Sequence, residues 1–348
     1  MVRILLTADA ELPVPPLLYG GIERIIASLC EEYSKLGHSV GLVAHRDSSV
    51  AVDFFCPWLG GSSTKRIDSF RNSTALINAC RRFRPDVIHS FSRLAWLWPL
   101  RLFAPKTPIV MSYQREPSSN TIRWSRRWLG DRRLFFTGCS EYITKNGRDR
   151  GGGNWTAVPN FVDLSKFDYV DVVPADAPLV FLSRIERIKG AHNAIAIAKM
   201  AKRRLVIAGN KVEDEQGRRY WNEEIAPELG RNGIEYVGPV DDIQKNKLLG
   251  QAAAIVVPIE WNEPFGIVFA EALACGTPVI SSPRGALPSI IEHGREGFLI
   301  NNNQEGFEAV QRLACIDRKL CRLKAERFFS SRVVSERYID LYKTLING

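Results

Sequence analysis

Short apolar runs alternate with helical patterns along most of the chain. Residues 2–7 form the first apolar run, and residues 21–36 follow as an amphipathic helix whose apolar positions fall on or near one face. Further strands in the first half are predicted at Val40–Ala44, Asp86–His89, Pro108–Ser112 and Leu134–Cys139. This alternation is typical of βαβ units built around a parallel sheet.

The alternation stops over residues 159–178, which are polar and rich in proline, and then begins again. The second series predicts a helix over Ala191–Lys202 and strands at Leu179–Leu182, Arg204–Ala208, Ala253–Val257, Val279–Ser281 and Gly297–Ile300. We therefore expect two doubly wound α/β domains joined near residue 170. Their ligand crevice is expected where the carboxyl ends of the two sheets face one another.

Composition excludes several classes of protein. The 348 residues are 45% hydrophobic and 24% charged, which predicts a soluble globular protein and not a disordered one. The sequence has no apolar run of about 18 residues and no CxxC pair, and its first residues do not predict a signal peptide. We therefore expect the seven cysteines to be buried, reduced thiols of a cytoplasmic protein. The sequence also lacks a DxD triplet, His/Cys ligand spacing and G-x-G-x-x-G, which argues against a metal site or a nicotinamide cofactor.

Positive charge is concentrated in one part of the chain. The net charge is +9, and residues 65–150 contain 18 Lys and Arg against 6 Asp and Glu. Such a surplus suits a phospholipid surface, an anionic acceptor or nucleic acid. Within the basic 115–133 segment, a helix would put Trp124 and Trp128 on one face with arginines beside them. Either this face lies on an anionic membrane, or the tryptophans pack inward; we favour inward packing.

The segment from Glu260 to Pro278 contains the most informative residues. Pro264 suits the first turn of a helix, which puts Glu263 at the helix mouth. Glu271 follows eight residues later, about 12 Å along a helix axis. Two carboxylates at that separation match the span of a nucleotide sugar, from hexose through diphosphate to ribose. The diphosphate between them would meet the first-turn amides, which are those of Phe265, Gly266, Ile267 and Val268.

The run E-P-F-G, followed by E-A and G-T-P-V, resembles the hallmark of family 4 of the retaining glycosyltransferases. The resemblance extends from about residue 2 to the C-terminus. It implies the GT-B fold, with two facing Rossmann-like doubly wound domains and an interdomain cleft. Residues 1–168 would bind the acceptor and residues 176–328 the donor, and a C-terminal helix over 328–348 would cross back onto the first domain.

The resemblance also implies roles for individual residues. Arg184 and Lys189 match the family's two diphosphate-binding cations, although Ser183 stands where the family has glycine. Gly20 and Gly21 occupy the position of the family's glycine loop, after the first strand. Glu263 would hold the sugar hydroxyls and Glu271 the ribose.

The stretch after Pro108–Ser112 departs from the family pattern. Many members carry a histidine there, whereas this chain has Gln114. The side chain that contacts the reacting sugar or the acceptor would then be Gln114, or His89 at the end of a neighbouring strand.

The function implied by the resemblance is transfer of a hexosyl unit from a nucleotide diphosphate sugar to an acceptor hydroxyl, with retention of configuration. Glu263, Arg184 and Lys189 would be the catalytic groups, with no metal and no cofactor. The acceptor would be a sugar, a lipid-linked glycan or a small molecule, and not nucleic acid. Three points stay open: whether the protein makes a peripheral contact at the inner face of the membrane, which base the donor carries, and which sugar is transferred.

Two rival functions also stay open. The same fold is used by nucleotide-sugar epimerases, which would need more acid and base groups around the sugar. A non-catalytic nucleotide-sugar-binding relative would be expected to lack Arg184, Lys189 or Glu271, and all three are present.

Overall fold

The computed structural model describes residues 1–16 and 20–348, and the chain divides into two compact units. Unit 1 comprises Met1–Asn160 and Ser331–Gly348, and unit 2 comprises Phe161–Ser330.

Unit 1 is an α/β unit around one parallel sheet. Its strands are β1 (Arg3–Thr7), β2 (Ser39–Ala44), β3 (Phe54–Pro57), β4 (Val87–Ser90), β5 (Ile109–Tyr113), β6 (Leu134–Gly138) and β7 (Asn154–Ala157). Its helices are α1 (Gly21–Lys35), α2 (Arg66–Phe83), α3 (Leu100–Phe103), α4 (Ser119–Leu129), α5 (Glu141–Gly151) and the C-terminal α13 (Ser331–Asn347), with a 3-10 turn at Leu94–Leu97. The seven strands run in the order β3-β2-β1-β4-β5-β6-β7, so the strand order reverses between β1 and β4.

Unit 2 repeats this architecture with six strands. They are β8 (Leu179–Leu182), β9 (Leu205–Ala208), β10 (Ile234–Gly238), β11 (Ala254–Val257), β12 (Val279–Ser281) and β13 (Gly297–Leu299). The helices are α6 (Ala191–Ala201), α7 (Glu215–Tyr220), α8 (Asp242–Gly250), α9 (Ile267–Ala274), α10 (Leu287–Ile290), α11 (Asn303–Gln311) and α12 (Arg318–Phe328). Single turns lie at Leu164–Lys166, Arg187–Lys189, Trp221–Ile225, Ala226–Glu228 and Leu313–Cys315. The parallel sheet has the order β10-β9-β8-β11-β12-β13 and reverses between β8 and β11.

The predicted fold class is confirmed, and every predicted strand is present within one or two residues of its expected ends. The strands that the sequence missed are β3, β7 and β10, which lie at edges of the two sheets. Every second residue or so of these strands is exposed, unlike the continuously buried β4, β8 and β11. β7 and β10 therefore contain no continuous apolar run, whereas β3 is a short apolar run that ends at Pro57.

The boundary between the units falls earlier than predicted, after residue 160 and not 168. Two arginines of α12 bind the segment that was expected to be a free linker. Arg322 Nη1 donates to the Phe167 carbonyl at 2.9 Å, and Arg318 Nε donates to the Val170 carbonyl at 2.7 Å. These contacts place the polar, proline-rich stretch on unit 2.

The inward packing expected for the two tryptophans of α4 is wrong. Trp124 is 66% exposed and Trp128 is 43% exposed, whereas Ile122, Ser125 and Leu129 are buried. The cysteines are free thiols, and five of them are buried as expected; Cys56 is partly exposed and Cys315 is exposed.

Candidate active site

The loop after β8 and the segment after β11 meet at the point where the sheet of unit 2 reverses its strand order. The Glu260 amide donates to the Ile188 carbonyl at 2.8 Å, which holds the two segments side by side. The loop after β8 carries Arg184 and Lys189, and the segment after β11 carries Glu263. Open α/β sheets bind their ligands at this position, beyond the carboxyl ends of the strands.

Lys189 and Glu263 form an ion pair here. Lys189 Nζ lies 2.6 Å from Glu263 Oε2, and each side chain is only 12% exposed. The Trp261 indole nitrogen donates to the same carboxylate oxygen at 3.1 Å, and Lys189 Nζ lies 4.5 Å from the centre of a Trp261 ring. The sequence predicted Lys189 and Glu263 as site residues, but it assigned no contact to Trp261.

Arg184 lies in the same loop and is more open to solvent. Its guanidinium is 49% exposed and lies 2.9 Å from the Glu186 carboxylate. The half-exposed Arg184 side chain is open to an anionic ligand.

Helix α9 begins at Ile267, so the prediction that Pro264 lies in its first turn is wrong. Gly266 precedes the helix with a φ of 81°, a left-handed conformation that interrupts the backbone after Pro264. Phe265 lies before the helix and its side chain is buried. The Phe269 amide already donates to the Gly266 carbonyl at 3.0 Å.

Two consequences follow for the predicted anion site. Of the predicted first-turn amides, only those of Ile267 and Val268 belong to the helix. As amides of a first turn, they have no helical carbonyl to which they can donate. The estimate of about 12 Å between Glu263 and Glu271 also loses its basis, because the helical rise of about 1.5 Å per residue applies only from Ile267 onward.

Glu271 has a partner that the sequence did not indicate. Lys245 Nζ of α8 lies 2.5 Å from Glu271 Oε1 and 3.3 Å from Asp242, and the Lys245 and Glu271 side chains are 18% and 13% exposed. Burial alone would lower the pKa of Lys245, but the carboxylates of Glu271 and Asp242 outweigh burial and raise it. Lys245 is 26 residues from Glu271 in the chain, so no local spacing rule could have paired them.

The loop after β12 supports the backbone of Glu263. The Ala286 amide donates to the Glu263 carbonyl at 2.8 Å. A Cβ at Gly285 would lie 2.3 Å from that same carbonyl oxygen, so only glycine permits this approach. Gly285 is therefore a site residue that the sequence analysis missed.

In unit 1, Gly20 and Gly21 lie where α1 begins, after the end of β1. The preceding residues 17–19 of the predicted glycine loop lie outside the described residues. Glu23, in the first turn of α1, is buried, and loss of solvent raises the pKa of its carboxyl. The role predicted for the two glycines stays a prediction.

His89 lies in the core of unit 1, and the contact with sugar or acceptor predicted for it stays a prediction. The side chain is completely buried, and burial lowers its pKa to about 3. Its Nε2 lies 2.6 Å from Ser112 Oγ, and its Nδ1 lies 2.5 Å from the Tyr342 hydroxyl of α13. Both ring nitrogens therefore have hydrogen-bond partners in the core of unit 1.

Gln114 remains a candidate for sugar or acceptor contact. Its Oε1 is buried, and among the described residues no hydrogen-bond partner reaches it. The described residues also contain no group of three or more His, Cys, Asp or Glu side chains placed to hold a metal ion.

The two parallel α/β units, each reversing its strand order beside its first strand, define a Rossmann-like architecture of the GT-B class. Two family models match the chain: Glycosyltransferase Family 4 over residues 19–166 and Glycosyl transferases group 1 over residues 173–322. The protein belongs to the group 1 glycosyltransferases of the family 4 type, and it is a glycosyltransferase.

Similar proteins match over almost the whole chain. Spore coat protein SA of Bacillus subtilis strain 168 is 22% identical and covers 98% of this chain and 99% of its own. The crystal structure of a glycosyltransferase involved in avilamycin A biosynthesis is 22% identical with a TM-score of 0.74, and covers 100% of this chain and 99% of its own. The Anabaena HepE protein in complex with UDP and glucose is 17% identical with a TM-score of 0.73, and covers 99% of this chain and 100% of its own.

Proposed function

We propose that the protein transfers a hexosyl unit from a nucleotide diphosphate sugar to an acceptor hydroxyl, with retention of the anomeric configuration. The observation that carries the proposal is the 2.6 Å pair between Lys189 and Glu263 beyond the carboxyl ends of β8 and β11. The pair supplies one cation for a diphosphate and one carboxylate for sugar hydroxyls. The Anabaena relative solved with UDP and glucose supports this class of donor.

Arrival of the donor would rearrange this pair. The diphosphate competes with Glu263 for the Lys189 ammonium, and Arg184 supplies a second cation from the same loop. The released Glu263 carboxylate then accepts hydrogen bonds from hydroxyls of the transferred sugar. Because negative charge grows on the diphosphate as the glycosidic bond breaks, fixed cations stabilise the transition state more than the bound donor.

The acceptor would attack from the face that the diphosphate leaves. In that geometry the departing phosphate oxygen takes the proton of the acceptor hydroxyl, so the reaction requires no enzyme nucleophile. We propose that Lys189, Arg184 and the Ile267 and Val268 amides act in place of a divalent metal. Activity should therefore persist in EDTA. The acceptor would be a sugar, a lipid-linked glycan or a small molecule.

Activity of a Lys189→Met variant tests the proposal. The protein is incubated with UDP-, GDP-, ADP- and TDP-glucose and a panel of acceptors, and release of the nucleoside diphosphate is measured. Loss of a charge-assisted contact of about 1.5–3 kcal/mol predicts at least a tenfold lower kcat/KM for Lys189→Met. Lys319→Met, which changes an exposed lysine of unit 2, serves as the matched control.

The same incubations separate the rival functions. A sugar isomer formed from the donor without any acceptor would identify an epimerase. Tight donor binding without release of nucleotide from any donor and acceptor would identify a binding protein. Unchanged kinetics in a folded Lys189→Met variant would contradict the assigned site.

A further inference from the structure

Helices α3 and α4 of unit 1 present large apolar side chains to solvent beside arginines. The exposed fractions are 72% for Leu102, 44% for Phe103, 66% for Trp124 and 43% for Trp128. We call these four residues, together with four exposed arginines, the Arg–aromatic surface; the arginines are Arg81, Arg101, Arg123 and Arg127. Contiguous exposed apolar side chains with a polar rim mark interaction sites.

Contacts between side chains join this surface across the two helices. The Arg101 guanidinium lies 4.7 Å from the centre of the Trp128 ring and donates to the Trp128 carbonyl at 2.8 Å. The Trp128 indole donates to the Trp98 carbonyl at 2.9 Å, and the Arg81 guanidinium lies 4.9 Å from the centre of the Phe103 ring. Trp128 and Phe103 are therefore held in place at the surface and are not loose side chains.

The inner face of α4 already has its packing partners. Ile122 and Leu129 are completely or almost completely buried, and Ser125 accepts a hydrogen bond from the Trp98 indole at 2.7 Å. Trp124 lies on the opposite side of the helix and is two-thirds exposed. The exposure of Trp124 is thus a consequence of how α4 packs in unit 1.

The acidic side chains of the stretch that contains α3 and α4 are already paired with arginines. Between residues 101 and 133 the chain has two acidic residues, Glu116 and Asp131. Asp131 receives two hydrogen bonds from Arg126, both at 2.7 Å. Glu116 lies 3.0 Å from Arg150. Arg123 and Arg127 are exposed and available to an anionic partner.

We propose that the Arg–aromatic surface binds the surface of a bilayer that contains anionic phospholipids. Tryptophan side chains favour the headgroup level, and arginines beside them bind lipid phosphates. Exposed Leu102 favours a bilayer over nucleic acid. An aliphatic side chain is stabilised by burial at the boundary of the acyl chains, whereas it has no ring that could stack on a base. Contact would be peripheral; none of the helices in residues 1–16 and 20–348 has both the length and the hydropathy of a membrane span.

Co-sedimentation with vesicles tests the proposal on the full chain. Wild-type protein should pellet with vesicles of phosphatidylglycerol and phosphatidylcholine, and not with phosphatidylcholine alone. Because each arginine near an anionic surface strengthens binding roughly fivefold, Arg123→Gln/Arg127→Gln should weaken binding at least tenfold. Trp124→Gln should also weaken it, and added salt should release the protein.

Matched controls come from unit 2. Arg218→Gln/Arg231→Gln removes the same charge from exposed positions, and Ile243→Gln removes an apolar side chain that is 82% exposed. Both should bind vesicles like the wild type. All variants should keep the wild-type thermal midpoint and donor affinity. A negative result with vesicles would therefore not contradict the donor site assigned around Lys189.

Three results would overturn the proposal. The first is wild-type protein that stays in the supernatant with anionic vesicles. The second is vesicle binding that both control variants weaken as much as the surface variants do. The third is a DNA duplex, at equal phosphate concentration, that binds as tightly as the vesicles and is insensitive to Trp124→Gln.

Discussion

Glu263 and Glu271 each lie against a lysine ammonium, at 2.6 Å from Lys189 and 2.5 Å from Lys245. All four side chains are largely shielded from water, and a shielded charge is costly unless it has a partner. The two pairs differ in their surroundings. Lys189 lies in a loop at the switch point of the sheet, whereas Lys245 lies in α8 and also contacts Asp242.

This difference predicts opposite effects of removing the two carboxylate charges. Glu263→Gln releases Lys189 from its ion pair, so the affinity for the bare nucleoside diphosphate should stay equal or rise while turnover falls. Glu271→Gln should lower the affinity for the bare nucleotide at least tenfold, since we assign Glu271 to the ribose hydroxyls. Isothermal titration calorimetry with the nucleotide alone measures both.

A double variant controls for the buried charge that Glu271→Gln leaves behind. Glu271→Gln/Lys245→Met removes both members of the pair and restores the local charge balance. If Glu271 contacts ribose, the double variant should regain thermal stability but not nucleotide affinity. Recovery of both would show that Glu271 acts through the fold and not through ribose.

At the scale of elements, α9 is positioned by Gly266 and not by Pro264. A Cβ at Gly266 would lie 2.5 Å from the ring of Phe269, which is buried. The φ of 81° adds the strain of a left-handed backbone. The E-P-F-G motif therefore supplies a carboxylate, and it also requires a glycine because the backbone is left-handed at that position.

Gly266→Ala should destabilise unit 2 by more than its backbone conformation explains. The left-handed φ costs about 1–2 kcal/mol for a residue with a Cβ, and the overlap with Phe269 adds about 1–3 kcal/mol. Gly294→Ala is the matched control, because Gly294 has a φ of 85° and no atom within 4 Å of its Cβ position. Denaturant titration should find Gly294→Ala milder; equal free energies of unfolding would contradict the clash.

Central strands are predictable from the sequence, whereas most edge strands and the ends of some elements are not. β8 and β12 have the predicted bounds because all their residues are buried and form apolar runs. β10 was not predicted because a half-exposed edge strand lacks such a run. The start of α9 was predicted wrongly because the conformation of Gly266 depends on how Phe269 packs, and the sequence does not show that packing.

At the scale of the whole molecule, the last helix of the chain completes unit 1. The Tyr342 hydroxyl of α13 lies 2.9 Å from the Tyr33 hydroxyl of α1 and 2.5 Å from His89 Nδ1. His89 continues the chain of hydrogen bonds to Ser112 at 2.6 Å. Residues more than 250 positions apart thus share one buried polar network.

The burial of His89 predicts a specific loss of stability in acid. Its pKa is about 3 in the folded protein and about 6.5 when unfolded. The unfolded state therefore binds more protons below about pH 6.5, and stability falls as pH decreases from there toward 3. Between pH 7 and pH 5 this group should remove about 2 kcal/mol from the free energy of unfolding.

Denaturant titrations at the two pH values measure this effect. His89→Gln should be less stable at pH 7 but should lose about 2 kcal/mol less than the wild type on acidification. An unchanged slope in His89→Gln would mean that His89 is not buried in its neutral form.

The amino-acid sequence by itself determined the two α/β domains, the family and the residues at the switch point of unit 2. It could do so because apolar runs mark central strands, and because Arg184, Lys189 and Glu263 lie in loops next to strand ends. Tertiary structure alone decided which charges pair, as for Lys245 with Glu271, and which polar groups are buried, as for His89 beneath α13. It also decided that Trp124 faces solvent. These properties depend on atoms brought together from distant parts of the chain, and no local pattern encodes that proximity.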